Sequence, residues 1–440
     1  MRRTKVVIMG AAGRDFHNFN CLFREDDRFE VVAFTAAQIP DIEGRTYPPV
    51  LSGPLYPQGI PIRAEEELEG LIRAHNVDEV WFSYSDIAHI DLMHKGSKVT
   101  AWGAHFGICS VPRTMLKSTR PVIAVTAVRT GVGKSQTTRY LSAILRRMGK
   151  KVVAIRHPMP YGDLTKQVAQ RFATYEDLDR YDTTIEEREE YEPHIDNGFV
   201  VYAGVDYEKI LRQAEEEADV ILWDGGNNDT PFYKPDLHIT LLDPHRPGHE
   251  LSYYPGETNF RMSDVLIVNK INTAEPASIQ QVLENCRIHN PRAQVIQCRS
   301  LVTVDHPELI RGKRALVVED GPTLTHGGMA YGAGWFAAKD AGAAEIVDAV
   351  PYAVGSIRAT YEKYPNARRI LPAMGYGEHQ IRELEETIEA VPADVVVEGT
   401  PIDLRRVLKI SKPIAKVRYE LEEVEPGRLE AAVRDLLAPR

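Results

Sequence analysis

Short apolar runs recur along the chain, separated by longer stretches in which apolar residues return every three or four positions. The runs fall at Lys5–Met9, Phe29–Phe34, Glu79–Ser83, Val122–Val125, Val152–Ile155, Val220–Asp224, Leu237–Leu242, Val265–Val268, Val295–Cys298, Leu316–Val318 and Val395–Val397. They are short, β-branched and not alternating, which predicts parallel strands covered on both faces by the amphipathic helices between them. No solenoid-period repeat or low-complexity tract interrupts the pattern. The stretch LKSTRP, Leu116 to Pro121, reads as a linker, and a second break is placed near Arg311 to Arg314. The expectation is an α/β protein in three parts, residues 1–118, 119–313 and 314–440, each of ordinary domain size.

Composition narrows the class. The chain has 440 residues, 43% apolar and 26% charged, as a globular protein should. No run approaches a membrane span, and the opening MRRTKVVIMG enters a strand rather than a signal peptide. Cys21, Cys109, Cys286 and Cys298 lie far apart without C-x-x-C spacing, which signals neither zinc nor a disulfide framework and fits a reducing cytoplasm. A net charge of −10 disfavours a nucleic-acid surface, so an anionic substrate would need a local basic pocket.

The chemistry concentrates after the predicted strand at Val122. Residues 124–139 read AVTAVRTGVGKSQTTR, close to the phosphate-binding pattern G-x-x-x-x-G-K-[ST] but with Val128 where the first glycine belongs. A strand delivers such a loop to a helix N-terminus, and backbone N–H groups of the turn converge on phosphate oxygens. Thr130, Gly131, Val132, Gly133, Lys134, Ser135 and Gln136 are the expected nucleotide contacts, with Lys134 on the terminal phosphates and the Ser135 hydroxyl on Mg²⁺. The helix is expected over Gln136–Met148, stopped by Gly149. Further on, ADVILWDGG ends a strand in Asp224, where a carboxylate is expected to hold the same Mg²⁺. VLIVNKINTAEP carries Asn269, Lys270 and Asn272 at the place where guanine-nucleotide proteins carry N-K-x-D. An amide at Asn272 accepts one bond from guanine but puts a donor opposite the other, which favours ATP, with GTP possible.

Other loops leave strands at their carboxyl ends, where a doubly wound sheet binds ligands. VAIRHPMPYGDL presents Arg156 and His157, and DPHRPGHE presents His245, Arg246 and His249; together they are expected to form a basic pocket for a phosphorylated substrate. VEDGPTLTHGGMAYGAG, Val318 to Gly334, places Thr323, Thr325, His326, Gly327 and Gly328 before a helical stretch at Ala333–Ala343, as an anion nest would require. The early turn GAAGRDF offers Gly10, Gly13, Arg14 and Asp15, a glycine-spaced turn after the first strand.

The phosphate loop resembles the deviant P-loop class that includes dethiobiotin synthetase and the nitrogenase iron protein. In that alignment Arg129 stands at the signature-lysine position and Thr130 replaces a glycine. Through MGAAGRDFHNFN, RHPMPYGDL, DGGNND, RPGHE, VEDGPTLTHGGMAYGAG and VEGTPIDLRRV, nearly the whole chain is similar to a P-loop family labelled cyclic 2,3-diphosphoglycerate synthetase. The resemblance implies a Rossmann-like N-terminal domain, a deviant P-loop NTPase domain with a mostly parallel doubly wound sheet, and a C-terminal α/β segment closing over it. It also implies an ATP- and Mg²⁺-dependent closure of 2,3-bisphosphoglycerate to its cyclic diphosphate, with Lys134, Asp224, Arg129, Arg156 and His157 catalytic and Arg156, His157, Arg246, His249, Thr325 and His326 on the substrate. A homodimer in the cytoplasm is expected, with a small anionic partner and neither nucleic acid nor membrane. The alternatives are a nucleotide-hydrolysing switch read by a partner protein, or phosphoryl transfer to another small acid.

Overall fold

A computed structural model describes residues 2–36, 42, 44–157, 163–226, 229–324, 330–374 and 378–438. The apolar runs become strands, most of them a residue or two longer than the pattern alone indicates. The first sheet contains β1 (Thr4–Met9), β2 (Phe29–Ala36), β3 (Thr46–Tyr47), β4 (Ile60–Ala64) and β5 (Glu79–Phe82). After β6 (Ile87–Ala88), which lies outside it, β7 (His105–Ile108) completes the order β3-β4-β2-β1-β5-β7. Every pair but β3–β4 is parallel.

The second sheet begins with β8 (Val122–Ala127), β9 (Val152–Arg156), β10 (Gln170–Phe172), β11 (Val200–Ala203), β12 (Val220–Gly225) and β13 (Leu237–Leu242). β14 (Tyr253–Tyr254) leaves it to pair with β6, stitching the two sheets' loops together. β15 (Val265–Val268) and β16 (Gln294–Val304) resume the sheet. The C-terminal part adds β17 (Arg314–Asp320), β18 (Glu345–Ile346), β19 (Leu371–Ala373), β20 (Val395–Gly399) and β21 (Ile414–Glu423). Among the described residues the path is β10-β11-β9-β12-β8-β13-β15-β16-β21-β20-β17-β18, with β19 on β17.

One strand sets the geometry between the last two parts. The first residues of β16 pair in parallel with β15, up to Gln297 opposite Val268. From Cys298 to Val304 β16 runs on alone and pairs antiparallel with β21, which returns to place Glu423 opposite Cys298. β20 is parallel to β21 and β17 to β20. The carboxyl ends of the C-terminal strands therefore point back toward the carboxyl ends of the phosphate-loop strands. The two ligand-binding edges of the parallel sheets face one another.

The helix after β8 spans Lys134–Arg147 and buries Leu141, Ile144 and Leu145 at a three-to-four-residue spacing. Its entry at Gly133 has φ 114° and the stop at Gly149 has φ 72°, backbone angles at which glycine carries no steric penalty. The expected helix at Ala333–Ala343 ends at Asp340.

Candidate active site at the phosphate loop

All six residues of β8 are buried, so the chain enters the loop from a fixed point. A β-carbon on Gly133 would lie 2.3 Å from Nδ2 of Asn269. The loop and the Asn269–Lys270 turn thus approach more closely than any side chain at 133 permits. Asn269 donates to the Val132 carbonyl at 2.8 Å, and Lys270 donates to the Gly131 carbonyl at 2.5 Å. Both expected base-binding residues brace the loop from beneath. Burial holds the Lys270 ammonium below its ordinary pKa. Asn272 is placed elsewhere. Its amide donates to the Ser300 carbonyl at 3.1 Å and accepts from the Ser300 N–H at 3.0 Å.

Asp224 is the electrostatic centre. Its Oδ1 accepts from Lys134 Nζ at 3.0 Å and Thr138 Oγ1 at 2.8 Å, and its Oδ2 lies 2.6 Å from Arg156 Nη1 and 3.3 Å from His194 Nε2. Burial alone raises a carboxyl's pKa, but Arg156 and Lys134 outweigh it and hold Asp224 well below the usual carboxylate range. Burial, reinforced by Arg156, lowers Lys134. Lys134 also donates to the Asp224 carbonyl at 2.5 Å, and Arg156 is shared with Glu190. The helix Ile185–Asp196 supplies Glu190 and His194 one turn apart.

Of the expected metal pair, Ser135 and Asp224, the carboxylate makes four polar contacts within the chain. A carboxylate offers about four lone-pair directions, and Asp224 has a polar neighbour on each. Among the described residues no group of three or more His, Cys, Asp or Glu side chains could hold a metal.

The N-terminal turn completes the site. The His157 ring is wedged between two glycines: a β-carbon on Gly13 would lie 1.8 Å from its Cε1, and one on Gly226 2.7 Å from its Cγ. His157 Nε2 is 2.9 Å from Asp229 Oδ2. Asp15 accepts from the N–H groups of Ala12 at 2.6 Å and Phe16 at 2.8 Å. Burial raises its pKa to about 7 against those two bonds and the nearby His157.

The remaining expected residues have other work. Arg129 donates to Asp86 Oδ1 at 2.6 Å, contacts His249 Nδ1 at 2.9 Å and lies 3.7 Å over the Tyr253 ring. Thr130 donates to the other Asp86 oxygen at 2.8 Å. The signature-position arginine is therefore engaged within its own chain, by an aspartate of the N-terminal part. Arg246 bridges Asp243, at 2.7 Å, and the Thr130 carbonyl, also at 2.7 Å, His249 stacks on Tyr253, and His245 contacts Thr273. Of the expected pocket, Arg246 thus braces the phosphate loop through the Thr130 carbonyl. Thr325, His326, Gly327 and Gly328 lie outside the described residues.

Across the Ile185–Asp196 helix, Glu189 accepts from Thr400 Oγ1 at 2.5 Å. Burial, and then the neighbouring Asp320, raises its pKa well above the carboxylate range. Thr138, Glu190, His194, Asp86 and Asp229 were not legible as site residues. Thr138 alone carried a signal, one helical turn after Lys134. The sequence IEEREEYEPHID reads as a solvated helix face.

No family model matches the chain. Arginine synthetase ArcE of Thermococcus kodakarensis is 63% identical over 434 residues, 99% of this chain and 97% of that protein. The chain belongs to the ArcE family. It is an enzyme, a nucleotide-dependent synthetase by that membership and by its phosphate loop. The P-loop part of the resemblance stands; the diphosphoglycerate label is not the one the ArcE relative carries. Among solved structures, LpxK from Aquifex aeolicus, in complex with ATP, is 13% identical with a TM-score of 0.44, covering 84% of this chain and 99% of that one. The hydrogenase maturation factor HypB of Archaeoglobus fulgidus is 15% identical with a TM-score of 0.26, covering 41% and 81%. Both are too distant to bear on function. No helix among the described residues is long and apolar enough to cross a membrane.

Proposed function

We propose that the chain is an ATP-dependent synthetase whose product is arginine. The observation that carries this reading is its 63% identity to arginine synthetase ArcE over 99% of its length. Making a guanidinium from a neutral precursor replaces a C–O bond by a C–N bond. The γ-phosphoryl group leaves ADP and joins the oxygen on that carbon. A nitrogen donor then adds to the carbon, and phosphate departs with the oxygen. Lys134 and the loop amides orient the phosphoryl group and stabilise its charge. In this reading His157, with Asp229 2.9 Å from its Nε2, takes a proton from the attacking nitrogen. Mg²⁺ would neutralise the nucleotide's phosphates when bound, with Ser135 at the turn as its protein contact.

A bisphosphate acceptor has less support. Arg156 and Arg246, the cations it would need, are engaged by Asp224, Glu190 and Asp243. The test is incubation with ATP, Mg²⁺, an ammonium salt and the ureido amino acid of arginine's carbon skeleton. Arginine formed in step with ADP and phosphate supports the reading. Turnover that responds to 2,3-bisphosphoglycerate and not to these compounds replaces it.

A further inference from the structure

Arg14 opens the nine-residue helix Arg14–Leu22 and is 6% exposed. A carboxyl or a lysine ammonium buried in this way escapes its charge by exchanging a proton. Arginine does not, because its guanidinium stays protonated in proteins. A buried guanidinium is therefore expected to meet a carboxylate. Arg14 meets none. Its Nη2 donates to Thr114 Oγ1 at 3.2 Å, its Nη1 is buried without any hydrogen-bond partner, and its Cζ lies 4.9 Å from the centre of the Phe232 ring. A ring face and one hydroxyl recover only part of the hydration that burial removes.

The surroundings sharpen the anomaly. His17, on the same helix, is held neutral, its pKa lowered to about 3 by burial and then by the Arg14 charge. Asp15, the adjacent carboxyl, is turned to the N–H groups of Ala12 and Phe16. The position is also telling. Arg14 follows Gly13, whose missing side chain leaves room for His157, and Phe232 lies on the segment that leaves Asp229. The uncompensated cation thus sits at the seam between the N-terminal turn and the phosphate-loop site.

We propose that Arg14, with the Thr114 hydroxyl, is the binding site for the carboxylate of the amino-acid substrate. The proposal rests on the arginine reading above. A guanidinium whose Nη1 has no partner, beside an Nη2 held only by a hydroxyl, suits a carboxylate, the anion that arginine grips by parallel hydrogen bonds. The N-terminal sheet then holds the unreactive end of the substrate while the phosphate-loop sheet does the chemistry at the other.

The test compares L-arginine with agmatine, the same molecule without its carboxylate, by calorimetric titration of the full chain saturated with ADP. The unaltered protein is expected to bind L-arginine at least tenfold more tightly than agmatine. In Arg14→Met that preference disappears, because L-arginine weakens at least tenfold while agmatine and ADP hold within twofold. Arg14→Lys and Thr114→Val give intermediate losses, and they decide the matter if Arg14→Met does not fold. A structural role for Arg14 leaves the arginine-to-agmatine ratio unchanged in all three, which overturns the proposal and spares the arginine reading. A parallel titration with inorganic phosphate separates the other source of an oxyanion: loss of phosphate binding alone also overturns it. Absence of both L-arginine binding and arginine synthesis in the unaltered protein sinks the arginine reading, and the carboxylate site falls with it.

Discussion

Lys134 and Asp15 are opposite answers to burial. The Lys134 ammonium stays in the site because Asp224 offers it a carboxylate and a carbonyl. Lys134→Ala is expected to lower nucleotide turnover by about 10²–10³-fold, the scale of losing a pre-aimed charge contact, with the fold intact by circular dichroism. Unchanged phosphate release would remove the phosphate loop from the mechanism. Asp15 forms no ion pair among the described residues, and burial raises it to about 7, whereas an unfolded aspartate titrates near 4. The folded chain therefore keeps a proton that the unfolded chain gives up. That contribution is complete below pH ~4 and is lost as the pH climbs through 7. Asp15→Asn, neutral at every pH, should match the parent in stability by urea unfolding near pH 4 and exceed it at pH 8 by on the order of 4 kcal/mol. Equal midpoints at pH 8 would show that Asp15 is ionised at little cost. At this scale the phosphate loop was legible because its chemistry needs fixed residue types at fixed spacing. Asp86 and Asp229 were not, since a lone aspartate in a loop looks the same whether it caps a turn or clamps an arginine from another part of the chain.

The helix Ile185–Asp196 shows why element patterns mislead where charges are buried. Its sequence suggests a solvent-facing rod, yet Glu186, Glu187, Glu189, Glu192 and His194 are all buried. The helix is paired with two parts of the second sheet, Glu190 and His194 with the Arg156–Asp224 pair and Glu189 with Thr400. Periodicity cannot anticipate this, because a carboxylate pattern carries no information about a distant cation. Glu190→Ala leaves the buried Arg156 with one carboxylate in place of two. The expected cost is about 3 kcal/mol, typical of removing one partner from a buried ion pair, read as a lowered urea midpoint. A shift under a tenth of that would mean that Asp224 alone satisfies Arg156. Strands were easier: Leu237–Leu242 and Val265–Val268 match their apolar runs. β21 escaped notice because its sequence IAKVRYELEE alternates and is charged along the exposed side.

For the molecule as a whole, the N-terminal sheet is part of the site rather than an appendage. Gly13 is where the two meet, since any β-carbon there would strike His157. Gly13→Ala is therefore expected to push His157 away from Asp229, costing about 1–3 kcal/mol of stability as overpacking does and lowering kcat more than nucleotide affinity. Wild-type kcat in this variant would show that the ring can move without consequence. The three-part reading of the sequence does not anticipate this convergence, because the contacts join residues more than a hundred positions apart and leave no local trace. β16 has a separate consequence for anyone dissecting the chain. A fragment starting at residue 314 would carry β21 without the Cys298–Val304 segment that covers it, leaving a long row of unpaired amides and carbonyls. Such an edge invites other copies to add strands, so a cut made at the apparent boundary should yield aggregates, and one made before Gln294 should not.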